Sequence, residues 1–336
     1  MAESSEQELR RKRRKRLVKG LVLGGAAIGV PALLNVLVSK RARGLPDTSW
    51  GSRDRYPWDT GSVAYQHLGE GPPLLLLHSF GPGHSSAEWR ESAVFLAENF
   101  QVFAPDLPGW GQSDPVPHTI DDRLYGAWLE DFLHGVVGGP AVLVAAGLTA
   151  SYAVRFAVAN PESVRALALV VPTGIETYGD DPDLKDSVVH GLLRVPVLGT
   201  SALNVFTSRA GTEGYLRKEV YASGDLVDDA LVDLYYTNSH RKGAHRSLAA
   251  YVGGLLNHDV REALGQVSCP VWVAWGRRAR SPVVEMADLW LQRLGAAELE
   301  VFEQGGILPH AESPEEFARK LERFLIERDF GNPAPA

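Results

Sequence analysis

Cysteine is almost missing from this 336-residue chain: there is one, Cys269, so no intrachain disulfide can form. It stands just before Pro270 and an apolar run, the setting of a small buried hydrophobe. Its solitude does not settle the compartment, because disulfide-free proteins occur on both sides of a membrane. A phosphate-binding loop is also missing, since Gly81-Pro82-Gly83 is not followed by Lys-Ser/Thr. No pair of His or carboxylates has a persuasive metal-ligand spacing, so neither metal nor cofactor is expected. Internal repeats and low-complexity tracts are lacking. Positive charge is scarce beyond the N-terminus: residues 44–336 carry a net charge of −15, although the whole chain carries only −7. An acidic domain of that kind argues against nucleic acid as a partner. What remains is ordinary globular material, 45% hydrophobic and 22% charged, with ample substance for a core.

The positive charge is concentrated at residues 1–19, where Arg10 to Arg16 and Lys19 form a dense basic block. Residues 20–38 then carry no charge and are nearly all apolar. At the α-helical rise they cover about 28 Å, close to the hydrocarbon thickness of a bilayer. Pro31 and Asn35 are tolerable in such a helix. A membrane-anchoring helix over 20–39 is the favoured reading. A cleaved export signal and a disordered basic tail that binds nucleic acid are the alternatives, although a bare basic run is usually just solvated. Eight basic residues precede the span and three follow it, in Lys40, Arg41 and Arg43. That bias leans toward a globular domain on the extracytoplasmic side.

A linker is expected over 40–60. From Gly61, VAYQHL alternates as an antiparallel edge strand. Leu74–Leu77 reads as a buried strand, Ala87–Glu98 as a helix, Val102–Ala104 as a strand and Ile120–Val137 as a helix. Val142 opens four apolar residues that run into Ala145-Ala146-Gly147-Leu148-Thr149, followed by an apolar helix ending at Asn160-Pro161. Ala166–Val171 is another buried strand. Short apolar strands alternating with helices predict an α/β fold with a mainly parallel sheet covered on both faces. Residues 175–262 change to helical periodicity without strands, the pattern of a helical cap inserted into a core of 61–174 and 263–330. The alternation resumes with Val271–Trp275, a helix from Ser281-Pro282 through Leu294, and Leu299–Phe302. Ser313-Pro314-Glu315-Glu316 has the form of a capping box opening a last helix to about Glu327.

Five stretches, in order, resemble the landmarks of the α/β-hydrolase superfamily, in its capped branch. LLLLHSF resembles the strand ending in His-Gly. DLPGWGQSD resembles the loop with spaced glycines and a serine. FAVANPESVRALALV, CPVWVAWG and GGILPHAESPEEF resemble the segments after the nucleophile, before the acid and around the histidine. The resemblance spans residues 55–330 and implies the α/β-hydrolase fold. It also implies a Ser-His-acid site, and there the chain departs from the pattern. Counting from Pro161, the nucleophile position is Gly147. Counting from Gly276, the acid position is Ala279, and the alternative acid site reads Val171-Pro172-Thr173. Counting from Glu312 and Pro314, the histidine position is Ile307. Glycine offers no nucleophile and isoleucine accepts no proton, so the family's usual acyl transfer is expected to be absent.

The resemblance places an oxyanion hole at the backbone N–H groups of Phe80 and Leu148. Substitutes for the missing groups are few: Thr149 could serve as nucleophile and His310 as base, though both read more simply as packing residues. His78, Ser79, Tyr235, Tyr236 and His240 are candidates to line a pocket under the cap, with His84 and His245 behind them. The leading expectation is a membrane-tethered pseudoenzyme that binds an apolar small molecule or a protein partner. The alternative is a hydrolase of esters or similar bonds, or a cofactor-free enzyme, using other residues of the same pocket.

Overall fold

The computed structural model describes residues 29–42, 50–59, 61–118 and 120–330. The basic block and residues 20–28 of the apolar run lie outside the described residues. Residues 29–42 form a helix, α1. Among the described residues no single helix is long and apolar enough to cross a membrane.

Among the described residues eight strands form one sheet: β1 (Ser52–Trp58), β2 (Gly61–Leu68), β3 (Pro73–Leu77), β4 (Gln101–Pro105), β5 (Ala141–Ala146), β6 (Val164–Val170), β7 (Val271–Gly276) and β8 (Ala297–Phe302). Their order is β1-β2-β4-β3-β5-β6-β7-β8. The pairs β1/β2 and β2/β4 are antiparallel. From β4 through β3, β5, β6 and β7 to β8, every pair is parallel. This is the α/β-hydrolase arrangement. All six residues of β5 and all six of β7 are buried, as strands covered on both faces must be.

Helices α2 (Arg90–Leu96), α3 (Asp122–Phe132) and α4 (Leu148–Ala159) follow strands β3, β4 and β5. The cap comprises α5 (Leu184–Leu193), α6 (Leu198–Phe206), α7 (Arg209–Tyr215), α8 (Asp229–Ser239) and α9 (Ala244–Val252). The core resumes with α10 (Arg261–Leu264), α11 (Ala287–Leu291), α12 (Pro309–Glu312) and α13 (Pro314–Ile326). Helix α4 is apolar nearly all round because it lies buried against the central strands, with nine of its residues buried.

Three details differ from the sequence expectations. The segment read as linker contains β1, which takes the sheet edge from β2. Its residues Ser52 to Arg55 are all exposed, so no inward-facing side chains produced an alternating signal. The helix expected from Ser281 is shorter: a turn at Val284–Met286 leads into α11, which ends at Leu291. Ser313 stands at the N-cap of α13, but its side chain makes no capping hydrogen bond. Pro314 alone marks the start, preset in φ and in need of no N–H acceptor.

Candidate functional site

The C-terminal ends of β3 and β5 are neighbours in the sheet, so the chain segments leaving them face one another. From β5 the chain turns at Gly147, with φ 60° and ψ −129°, directly into α4. The Gly147 N–H donates to Val170 O at 2.9 Å, and its carbonyl accepts from Thr173 N at 3.2 Å, which pins the turn to the end of β6. A positive φ favours glycine. A Cβ built on Gly147 would collide with the Ser79 hydroxyl, which arrives from the end of β3. The position thus has no side chain, and a Cβ there would require the Ser79 hydroxyl to move.

Gly147 and Ser79 line a cavity of about 180 Å³ together with Phe80, Leu148, Thr173, Ile307 and the cap tyrosines Tyr178, Tyr215 and Tyr251. Phe80 and Leu148 have backbone N–H groups with no acceptor among the described residues. The buried Thr173 hydroxyl also lacks a hydrogen-bond partner there. Ile307 enters from the loop before α12, its N–H donating to Val220 O of the cap at 3.2 Å. Ala279 is buried on the turn after β7, its N–H donating to Gly276 O at 3.1 Å. The cavity wall from that turn is Ser281 and Pro282 rather than Ala279.

Of the five pocket candidates, only Ser79 reaches the cavity. His78 is buried behind it as a brace, its Nδ1 donating to Ser79 O at 2.7 Å and its Nε2 accepting from Leu107 N at 3.0 Å. Tyr235 packs in the cap-to-core cluster with Leu216 and Leu308. The Tyr236 and His240 rings meet tilted at 37° with centroids 4.2 Å apart, and His240 Nδ1 donates to Tyr236 O at 2.7 Å, away from the cavity. The two substitute residues are turned aside as well. Thr149 donates to Ala146 O at 2.7 Å, because a hydroxyl in the first turn of a helix readily returns to the backbone. His310 is fully buried and stacks on Trp89 with ring centroids 3.7 Å apart.

A second polar chain escaped the sequence reading. His84 Nδ1 lies 2.7 Å from Glu88 Oε2, with both side chains buried, and His84 Nε2 lies 3.0 Å from the Tyr215 hydroxyl. Glu88 also accepts the Ser79 N–H at 2.8 Å and faces His310 Nε2 at 3.6 Å. Burial would push the Glu88 carboxyl up, but its histidine partners hold it down at about 2. His84 makes the formed hydrogen bond to Glu88, and the His310 contact is longer. An ionised carboxylate only accepts, so His84 Nδ1 carries a proton. In neutral His84, Nε2 then accepts from Tyr215. Burial raises the Tyr215 hydroxyl pKa, which keeps it protonated. The sequence signal was His84 and Glu88 four apart, but Tyr215 lies 131 residues from His84, and only the cap's docking joins them.

The chain belongs to the Alpha/beta hydrolase family, whose sequence model matches residues 74–320. Among curated relatives it is 26% identical over 261 residues to a 2-hydroxy-6-oxononadienedioate/2-hydroxy-6-oxononatrienedioate hydrolase of Cupriavidus pinatubonensis, covering 75% of this chain and 86% of that one. It is 27% identical over 276 residues to an uncharacterized protein of Mycobacterium bovis, covering 78% of this chain and 77% of that one. Two solved structures share the fold at a TM-score of 0.67. A serine hydrolase involved in carbazole degradation is 21% identical, covering 82% of this chain and 98% of its own. A membrane phospholipase A described as a bacterial virulence factor is 24% identical, covering 93% and 98%.

Proposed function

We propose that this protein is a membrane-tethered member of the family whose cavity binds an apolar small molecule without the usual serine chemistry. The carrying observation is the turn after β5: Gly147 has no side chain, and the Ser79 hydroxyl occupies the space in front of it. On this reading Gly147, Ala279 and Ile307 stand at the family's nucleophile, acid and histidine positions, so the family's usual base is missing, and the carboxylate on the cavity wall is that of Glu219. Loss of the nucleophile alone costs about 10⁶ in turnover in a serine protease. The free N–H groups of Phe80 and Leu148 and the unpartnered Thr173 hydroxyl supply donors for a carbonyl or similar group, while Leu148, Ile307 and Leu308 supply apolar wall. The tether is residues 20–38. A fluorophosphonate probe should leave the protein unlabelled, and a panel of short-chain esters should show turnover no greater than the Phe80→Pro variant. Strong labelling, or turnover abolished by Thr149→Ala or His310→Ala, would sink this reading.

A second reading keeps an enzyme: a hydrolase, as the names of the relatives suggest, or a cofactor-free catalyst. The Glu88–His84–Tyr215 chain favours it, because a carboxylate and an imidazole behind a cavity hydroxyl form a route for a proton. Turnover lost in both His84→Gln and Tyr215→Phe, with ligand binding retained, would select it.

A further inference from the structure

Resting on the tether proposed above, we infer that the outer face of the α5–α6 hairpin lies on the same bilayer as the N-terminal segment, with a lipid surface as its partner. Nineteen large hydrophobic side chains are exposed among the described residues, and thirteen of them fall on α1, α5, α6 and the α5–α6 turn. Leu184 is 80% exposed and Val205 74%. Single exposed hydrophobic residues need no explanation, but a concentration of this kind marks an interaction surface. On each helix the residues fall on one stripe, as Leu184, Val188 and Leu192 do at four-residue spacing.

The three stripes belong to one region. Helices α5 and α6 pack together as a hairpin. Asn35 of α1 donates to Val197 O at 3.2 Å and accepts from Ser201 at 3.2 Å and Asn204 at 2.8 Å, all at or within α6. The polar side of α6 is thereby spent on α1. Leu198, Val205 and Phe206 are left uncovered.

Lipid fits this face better than a second copy of the chain. Residues 29–38 of α1 belong to the uncharged run 20–38, so the face includes part of the segment that the tether places in the bilayer. Helices α5 and α6 have 10 and 9 residues and bend by 93° at their junction. Each is about 15 Å long, half the hydrocarbon thickness, a length suited to lying in the interface rather than crossing it. Exposed Arg194 in the hairpin and Lys40 and Arg41 at the end of α1 supply charge for anionic headgroups.

The placement bears on the ligand. Both α5 and α6 pack on α9, and Leu193 and Tyr251 meet on the cluster of Leu203 and Leu248. Tyr251 lines the cavity. A docked cap would set the cavity one helix layer from the acyl chains, so the ligand class is a lipid-soluble molecule drawn from the membrane.

The test uses the full chain carrying Cys269→Ser and a single environment-sensitive NBD label at Ala26→Cys, Leu192→Cys, Val205→Cys or Glu285→Cys. The proteins are reconstituted in phosphatidylcholine vesicles containing a quarter phosphatidylglycerol, with and without brominated lipid. Labels at 26, 192 and 205 should be quenched several-fold more than the label at 285. Quenching at 26 without quenching at 192 and 205 overturns the inference and leaves the tether standing. Quenching at none of them overturns both. A blue shift at 192 and 205 that grows with protein concentration in detergent, without lipid quenching, assigns the face to a second copy and also overturns the inference.

Discussion

The hydroxyl of Ser79 fills the space into which a side chain on Gly147 would project. The two residues leave adjacent parallel strands, so the size of one limits the size of the other.

Gly147→Ser is therefore expected to destabilise the fold by about 1–3 kcal/mol through strain at a positive φ and contact with Ser79. Ser79→Gly in the same chain should recover part of that loss by clearing the space. Urea denaturation of the single and double variants measures both. Neither variant should hydrolyse esters, because Ile307 provides no base.

Tyr215 and His84 join cap to core through one buried-side hydrogen bond of 3.0 Å. Tyr215→Phe should cost about 0.5–1.5 kcal/mol. Combined with His84→Ala, the losses should be non-additive by about 0.5–3 kcal/mol, because both changes remove the same contact. A double-mutant cycle in urea reports the coupling, and strict additivity would contradict the geometry.

Glu88 binds its proton more weakly in the folded chain, at about 2, than its ordinary value of 4.5. Its stabilisation is full above about pH 4.5 and is lost as the pH falls toward 2. Burial also lowers the pKa values of His310 and His78, so the unfolded chain takes up those protons first. Stability should accordingly begin to fall below about pH 6.5 and fall again below about pH 4.5. Glu88→Gln should shrink the lower phase and retain the upper one. Urea midpoints across pH 3–8 test the two phases.

The Glu312 carboxylate clamps the cap to the core, accepting from Gly306 N at 2.7 Å and Ala222 N at 2.9 Å. Burial raises its pKa despite these bonds. Glu312→Ala should leave both N–H groups without their acceptor, at about 1–3 kcal/mol each if they stay buried. Hydrogen exchange should accelerate at residues 216–222 and 305–308 while the central strands β5 and β6 stay protected.

The parallel core was legible in the sequence because strands buried on both faces are continuous apolar runs. Leu74–Leu77 and Val142–Ala146 show this directly. The first strand was not legible, since Ser52 to Arg55 face solvent and pair with β2 through the backbone ladder and polar side-chain contacts, which leave no apolar pattern. The helices between β6 and β7 were legible as helical periodicity, but not which of their residues face the cavity. Tyr235 and Tyr236 look like pocket residues in the sequence, yet the roof is built from Tyr178, Tyr215 and Tyr251. Helical phase and docking angle decide that, and neither is encoded in residue type.

By itself, the sequence determined the fold class and the identity of the residue at the turn after β5, because a small-residue turn between an apolar strand and an apolar helix has few other solutions. Tertiary structure alone decided that Ser79 stands before Gly147, that Glu88, His84 and Tyr215 connect, and that the apolar stripes of α1, α5 and α6 share one region. Each of these joins segments far apart in the chain, and such contacts arise only when sheet order and cap packing bring them together.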